Sequence, residues 1–195
     1  MDSHGLGGRV PLLNPEELTA AQKSTYESMD RTMVPWADSS GFVAKLADGK
    51  LVGPFNGFLL SPEITASFLQ LQEAEQKHTT LTERIRQTVI LTVGAVWQSN
   101  YERYAHSAVA LKAGIPGGAI RALVAGEPAA ELGDKERLAQ RFTWKLTTER
   151  QVDDDLYAEA VAGFGAQGIV DIIYLAGCYD TISSLLNTFR VPVPE

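Results

Sequence analysis

The side chains best suited to chemistry lie close together between residues 82 and 114. Glu102, Arg103 and His106 recur at helical spacing and share one face with Ser99. A carboxylate beside an imidazole favours its protonated form, whereas burial opposes it. That balance predicts a histidine that titrates near neutral pH, where acid–base exchange is most efficient. The spacing therefore indicates a proton-transfer site centred on His106.

Each of these residues also has an ordinary structural interpretation. A lone histidine on a helix is usually a packing residue, and Glu102 four positions before His106 forms a common helix pair. Arg103 has the fork geometry to dock a substrate carboxylate, or it is a solvated or subunit-bridging charge. Whether His106 lines an enclosed pocket or is packed without space beside it discriminates between a catalytic role and a non-catalytic helical oligomer that binds a small apolar ligand.

Two helices must position this group. Residues 82–98 are apolar nearly all round, which predicts a buried central helix. The polar run at 98–100 breaks the pattern, and Ser99 or Asn100 is suited to cap a second helix that extends to about residue 113. The site is thus predicted at the corner between a buried helix and the helix that carries His106.

At these positions the chain resembles the carboxymuconolactone decarboxylase family, which includes the AhpD-like alkylhydroperoxidases. Redox-active members carry a glutamate on the first helix and Cys-x-x-Cys-x-x-x-His on the second. Counted back from His106, those positions hold Gln87, Ser99 and Glu102, so the pattern is that of the cysteine-free branch. The likeness covers roughly residues 10–190 and includes four further stretches: Tyr101-Glu102, Ala113-Gly114-Ile115, Gly53 to Phe58 with Ser61-Pro62-Glu63, and Gly168 to Leu186.

The resemblance implies an all-α, AhpD-like domain at residues 14–190, with about seven to nine helices around the pair 82–98 and 100–113, preceded by an irregular arm at 1–13. It implies a homo-oligomer, a trimer or hexamer. It also implies a cofactor-free carboxy-lyase or isomerase acting on a small carboxylated lactone or related enolisable acid. His106 would exchange the proton with help from Glu102. Substrate contacts are expected from Arg103, Gln87, Ser99, Trp97 and Asn56.

Two other functions stay open. The first is a non-catalytic helical oligomer that binds a small apolar ligand. The second is an alkylhydroperoxidase, which the sequence disfavours because Ser99 and Glu102 stand where the attacking and resolving thiols would be. The single cysteine, Cys178, is predicted to be an inert buried thiol on the last helix.

Composition indicates the number of domains and disfavours several kinds of partner and cofactor. With 195 residues, of which 45% are hydrophobic, the chain suits one well-buried domain. A net charge of −7 disfavours nucleic-acid and anionic-membrane partners, which require clustered Lys and Arg. Three histidines without metal spacing and the lack of a phosphate-binding glycine motif predict neither metal nor nucleotide cofactor. No signal peptide or uninterrupted bilayer-spanning run is visible, so the cytoplasm is the expected compartment.

The rest of the chain is predicted to be mostly helical. Asn14-Pro15 is a helix start, and the first helix is expected to run to about Met33. Residues 34–50 are predicted to be a long connection in which Trp36 and Phe42 either cover a pocket mouth or anchor the loop. Further helices are expected at 61–78, 119–125, 134–149, 152–165 and 167–189.

Overall fold

The computed structural model describes residues 5–194, and the regular structure in that range is entirely helical apart from one isolated β-bridge. The described residues form eight α-helices, which confirms the predicted all-α class. The helices are α1 (Ala20–Ser40), α2 (Pro54–Phe58), α3 (Pro62–His78), α4 (Glu83–Val96), α5 (Asn100–Lys112), α6 (Gly117–Ala125), α7 (Asp134–Glu149) and α8 (Asp154–Phe189).

Helix α4 is the centre of the molecule. It packs against α5, α6, α7 and α8, and every residue from 85 to 94 is buried. Val89, Ile90 and Val93 belong to the main hydrophobic core, whereas Leu91 belongs to a smaller one beneath α6. A helix that is apolar on all sides is stable only when it is covered on all sides, so its sequence explains its position.

The corner between α4 and α5 fixes where the second helix begins. Gln98 has a left-handed backbone conformation (φ 51°), and Ser99 occupies the position before the first residue of α5. A Cβ at Gly94 would lie 3.5 Å from Cβ of Glu102, an ordinary contact distance, so α4 packs directly against the first turn of α5. The predicted corner is present, but the Ser99 side chain does not cap the helix.

The start of α1 differs from its prediction. Residues Pro15–Glu17 form only a short 3-10 turn, in which Asn14 accepts a hydrogen bond from the backbone N–H of Glu16. The α-helix begins after Thr19, which forms a reciprocal capping box with Gln22. The stronger cap lies five residues beyond the predicted start, because a capping box satisfies two orphan N–H groups instead of one.

Helix α1 also runs past Met33 to Ser40, so the predicted long connection at 34–50 is wrong over its first half. Pro35 lies inside the helix and is exposed, whereas Val34 and Ala37 are buried in the core on the opposite face. Burial of those neighbours offsets the hydrogen bond that the proline removes. The helix ends at Gly41, which adopts a left-handed conformation.

Helix α8 contains both predicted C-terminal helices, separated by a non-helical residue, Gly165. Its core face carries Ile169, Ile172, Ile182 and Leu186, while its other face leaves several apolar side chains exposed: Tyr157, Val161, Val170, Ile173 and Tyr174. By length and composition alone α8 could cross a membrane, and 33% of its most apolar window is buried. This is weak evidence, since a core helix passes the same test.

The segment before α1 is held against the helical body. Asn56, buried at the start of α2, accepts a hydrogen bond from the N–H of Leu13 and donates one to the carbonyl of Pro11. The N–H of Arg9 donates to the carbonyl of Phe189 at the end of α8. The segment from residue 9 to 13 is irregular in conformation but fixed in place.

Candidate functional site

Four of the predicted site residues are buried around the junction of α4 and α5. Gln87 projects from α4, and Ser99, Glu102 and His106 follow one another by one turn at the start of α5. All four are at most 4% exposed. The structure therefore brings together an amide, a hydroxyl, a carboxyl and an imidazole inside the core.

The hydrogen bond between His106 and Gln87 defines one side of the imidazole. Nδ1 of His106 lies 2.8 Å from Oε1 of Gln87, while Nε2 of the same amide donates to Glu83 at 2.7 Å. An amide oxygen only accepts, so His106 Nδ1 carries the proton in this arrangement. Its Nε2 then bears the lone pair.

That lone pair faces Glu102. The Oε2 atom of Glu102 is 3.5 Å from Nε2 of His106, and among residues 5–194 it has no hydrogen-bond partner. Ser99 Oγ, one turn earlier, is likewise buried and unpartnered within the described structure. Buried polar groups without partners are rare because each costs about 1–3 kcal/mol. Of the two, the Oε2 of Glu102 faces the imidazole, and it is therefore available to a ligand.

Burial sets the protonation states of the pair. It raises the pKa of Glu102 to about 8, and burial reinforced by the charge of Arg86 lowers the pKa of His106 to about 3. The expected balance near neutrality for His106 is therefore wrong, because desolvation outweighs a carboxyl that is itself protonated. At neutral pH the pair is a neutral carboxylic acid facing a neutral imidazole.

Aromatic side chains complete the surroundings of the imidazole. Tyr179 of α8 meets His106 edge to face, with ring centroids 4.9 Å apart, and Trp36 of α1 lies at 6.0 Å. Trp36 is partly exposed and packs against buried Phe42 at 5.1 Å. Trp36 therefore lies between the enclosed histidine and the surface of α1, and it is also anchored by the core.

A buried ion cluster lies behind Gln87. Arg86 makes two contacts to Glu75 of α3, at 2.6 and 3.2 Å, and one to Glu83 at 2.7 Å. Burial opposes its charge, yet the two carboxylates outweigh burial and hold the pKa of Arg86 above its ordinary value. The cluster holds one positive and two negative charges, and of these the Arg86 charge reinforces burial in lowering the pKa of His106.

Three predicted substrate contacts lie elsewhere. Arg103 is directed to Asn100 Oδ1 at 2.5 Å and to the carbonyl of Val124, so it points away from the buried group of Glu102 and His106. Trp97 is 38% exposed and donates to Asp180 at 2.6 Å. Asn56 is occupied by the backbone of residues 11–13. These three are structural contacts and do not join the His106 group.

Two surface cavities lie apart from His106. One, of about 580 Å³, is bounded by α7, the start of α8 and the α6–α7 loop, and includes Trp144. The other, of about 530 Å³, includes Trp97, Arg150 and Asp180. His106 lines neither, and its ring is packed between side chains. Within the described chain, no three His, Cys, Asp or Glu residues are grouped as metal ligands.

Comparison with known proteins identifies the architecture. No family model matches the chain, and no curated protein matches its sequence. A protein from Ralstonia eutropha JMP134, described as an alkylhydroperoxidase AhpD core and an uncharacterised peroxidase-related protein, has a TM-score of 0.74 at 16% identity, covering 97% of this chain and 93% of that chain. The fold is AhpD-like.

Two other solved structures give the same result. A peroxidase-related protein from Silicibacter sp. TM1040 has a TM-score of 0.74 at 14% identity, covering 96% of this chain and 92% of its own. A cysteine-to-alanine variant of a debrominase, in complex with 2,3,4-tribromopyrrole, has a TM-score of 0.72 at 12% identity, covering 96% and 94%. The structural similarity establishes the AhpD-like fold. At identities this low the activity must be inferred from the chemistry of the site itself.

The AhpD-like packing brings in residues that the sequence did not single out. Tyr179 reaches His106 from 73 positions away because α8 packs along α4. Glu83 and Arg86 read as ordinary surface charges of an N-terminal helical turn. The sequence did contain one signal that Glu83 contacts Gln87, because Glu83 precedes Gln87 by four residues, which is one turn of a helix.

Proposed function

We propose that this protein is a cofactor-free acid–base enzyme in which the Glu102–His106 pair moves a proton on a small enolisable carboxylic acid, such as a carboxylated lactone. The observation that carries the proposal is the buried, unpartnered Oε2 of Glu102 facing the unprotonated Nε2 of His106. A carboxylic acid held neutral by burial is a proton donor at physiological pH.

The geometry changes the roles that the sequence suggested. With its pKa near 3, His106 is almost never protonated at neutral pH, whereas Glu102 with its pKa near 8 carries a proton. Glu102 is therefore the proposed proton carrier. His106 faces this carboxyl with Nε2, 3.5 Å from Oε2 of Glu102, while Gln87 holds His106.

The proposed reaction is a decarboxylation with proton replacement. The bond between the α-carbon and the carboxylate breaks, CO₂ leaves, and its bonding electrons enter the adjacent carbonyl system as an enolate. Glu102 then gives its proton to the α-carbon, and the resulting carboxylate is reprotonated from water. An isomerisation would instead require the ionised form of Glu102, which would take a proton from one carbon of the substrate and return it to another carbon of the resulting enolate, with no loss of CO₂. We assign to Ser99, whose Oγ is buried and unpartnered in the described chain, the role of donating to an oxygen that develops charge.

Access to the pair requires movement of a covering side chain, since Glu102 and His106 are 3% and 4% exposed. Trp36 is the partly exposed ring against His106, so we assign the covering role to it. Exclusion of water around a neutral carboxyl also keeps its pKa high.

The test is turnover of carboxymuconolactone and related lactone acids, measured as CO₂ release and as deuterium incorporation in D₂O. Glu102→Gln and His106→Gln should each lower kcat by about 10²–10⁴-fold, the usual contribution of general acid–base catalysis. Glu73→Gln, an exposed α3 carboxylate, is the matched control and should not change kcat. The wild-type kcat/KM should fall above about pH 8, and Glu102→Gln should lose that inflection.

Full activity in folded Glu102→Gln would contradict the proposed role. The second candidate, a non-catalytic binder of small apolar ligands, is favoured by the closed packing of aromatic rings around His106. Saturable ligand binding without deuterium incorporation in any enolisable acid of the panel would support it.

A peroxide-reducing function is not proposed. Cys178 is buried, and burial together with the charge of Glu75 raises the pKa of its thiol to about 11. The thiolate, which is the reactive form, is therefore scarce at neutral pH.

We also propose that the chain forms a homo-oligomer through α8. Val170, Ile173 and Tyr174 are 46–55% exposed and lie within five residues of one another, so α8 presents neighbouring apolar side chains to water. A second copy presents the same apolar helix, so the surface is complementary to itself. A trimer or hexamer and a cytoplasmic location remain the predicted assembly and compartment.

A further inference from the structure

The amide of Gln87 lies between a histidine and a carboxylate, and both contacts constrain its orientation. Its Oε1 meets Nδ1 of His106 at 2.8 Å, and its Nε2 meets Oε1 of Glu83 at 2.7 Å. An imidazole nitrogen either donates or accepts, so the histidine alone does not decide which way the amide points. An ionised carboxylate only accepts, so Glu83 does decide it.

Glu83 is held in place from its other side. Its Oε2 accepts a hydrogen bond from Arg86 at 2.7 Å, and Arg86 is in turn bound by both oxygens of Glu75 on α3. The Arg86 side chain is 9% exposed and that of Glu75 is 5% exposed. The contact with Arg86 holds the Glu83 carboxylate in place as a hydrogen-bond acceptor.

We propose that Glu83, held by Arg86, is a positioning residue that orients the Gln87 amide and thereby fixes His106 as the tautomer protonated on Nδ1. If the amide turned over, its oxygen would face the Glu83 carboxylate at hydrogen-bond distance, and both groups would lack a proton. The orientation that avoids this contact places an amide oxygen on Nδ1. The tautomer follows, and it leaves Nε2 of His106 unprotonated on the side that faces Glu102.

The Gln87 amide is an uncharged hydrogen-bond acceptor, so it orients His106 without stabilising its protonated form. A carboxylate at residue 87 would also orient Nδ1–H, but its negative charge would stabilise the imidazolium. Glutamine orients the ring and leaves it neutral. The groups facing His106 are Gln87, Glu102, Tyr179 and Trp36, with the Arg86 charge beyond, and none of them favours a second proton on the ring.

The inference rests on the proposed function for its purpose, but its test needs no substrate. In protein labelled with ¹⁵N-histidine, long-range ¹H–¹⁵N spectra distinguish protonated from unprotonated ring nitrogens, and His106→Gln assigns the signal. The wild type should show Nδ1 protonated and Nε2 unprotonated at pH 7. The opposite tautomer in the wild type would overturn the proposal.

The perturbation is Glu83→Gln, which is safe for folding because that side chain is 46% exposed. Loss of a hydrogen bond to a charged group should lower the ratio of Nδ1–H to Nε2–H by about tenfold. Glu73→Gln is the matched control on α3 and should leave the ratio at its wild-type value. An unchanged ratio in both Glu83→Gln and Glu83→Ala would show that Glu83 does not orient the ring.

Glu102 also faces the His106 ring, so its effect on the tautomer must be measured separately from that of Glu83. Glu102→Leu removes the carboxyl from Nε2 and leaves the Gln87 side intact, and the Nδ1–H tautomer should persist. A reversal there would assign the tautomer to Glu102 and refute the role of Glu83. As a second readout, Gln87→Glu should give a His106 that titrates several pH units higher than the wild type; no rise in that titration would also count against the proposal.

Discussion

The neutral state of Glu102 makes folding stability depend on pH in a way that one substitution removes. Its pKa rises from an ordinary value of 4.5 to about 8 on folding, because burial disfavours the carboxylate. The folded protein therefore binds a proton that the unfolded chain has lost between these two pH values. Stability from this group is fully present below pH 4.5 and is lost as the pH rises through 8.

The magnitude follows from linkage. Each pH unit across this window contributes about 1.4 kcal/mol, so Glu102 accounts for a loss of about 5 kcal/mol between pH 4.5 and 8. His106 has the opposite effect, since its pKa falls from 6.5 to about 3 and its contribution is lost on acidification. Between pH 4.5 and 6.5 the contributions of Glu102 and His106 to the pH dependence of the free energy of unfolding cancel. From pH 6.5 to 8 only Glu102 acts, and the wild type should lose about 2 kcal/mol.

Glu102→Gln keeps the shape of the side chain and removes its proton equilibrium. Urea unfolding, followed by tryptophan fluorescence at fixed protomer concentration from pH 4.5 to 9, should show the free energy of unfolding of the wild type falling by about 5 kcal/mol relative to the variant. The free energy of unfolding of Glu73→Gln should depend on pH in the same way as that of the wild type. Parallel curves for the wild type and Glu102→Gln would refute the reasoning, because the carboxyl would then not be held neutral.

Three further outcomes are expected. Cys178→Ser should leave turnover unchanged, and the wild type should show no thiol-dependent peroxide reduction in a coupled assay; a peroxidase activity lost in the variant would contradict this. Light scattering should give a mass well above the 21.2 kDa monomer, and Ile173→Asp should lower it, whereas a monomeric wild type would exclude the α8 interface. Gly53→Ala should destabilise by several kcal/mol in thermal unfolding, because its φ is 64° and its Cβ would lie 2.2 Å from the Tyr101 ring. Gly177→Ala, with open space at its Cβ, is the control and should be neutral or stabilising by up to about 1 kcal/mol.

Local signals in the chain were enough to locate most of the helices. The apolar run at 82–98 determined a buried central helix, and the polar corner at 98–100 determined where the next one begins, because both depend on periodicity and turn chemistry. The same logic failed at Pro35, where packing of Val34 and Ala37 carries α1 through a residue that usually ends a helix.

The candidate site was only partly accessible to such reasoning. Helical spacing placed Glu102 and His106 one turn apart, and the family resemblance placed Gln87 opposite them. Spacing could not show that Arg103 turns toward Val124, since the direction of a side chain at the edge of a helix face depends on which neighbouring helix covers it.

Local pattern in the chain is sufficient to predict the helical class, the α4–α5 corner and the residue types at the site. The chemistry of the Glu102–His106 pair depends instead on tertiary packing. Tyr179 and Trp36 reach His106 from distant helices, and their packing removes the water that would otherwise solvate a carboxylate. Because desolvation depends on what surrounds a group in space, the protonation of Glu102 and His106 is a property of the fold and not of their spacing.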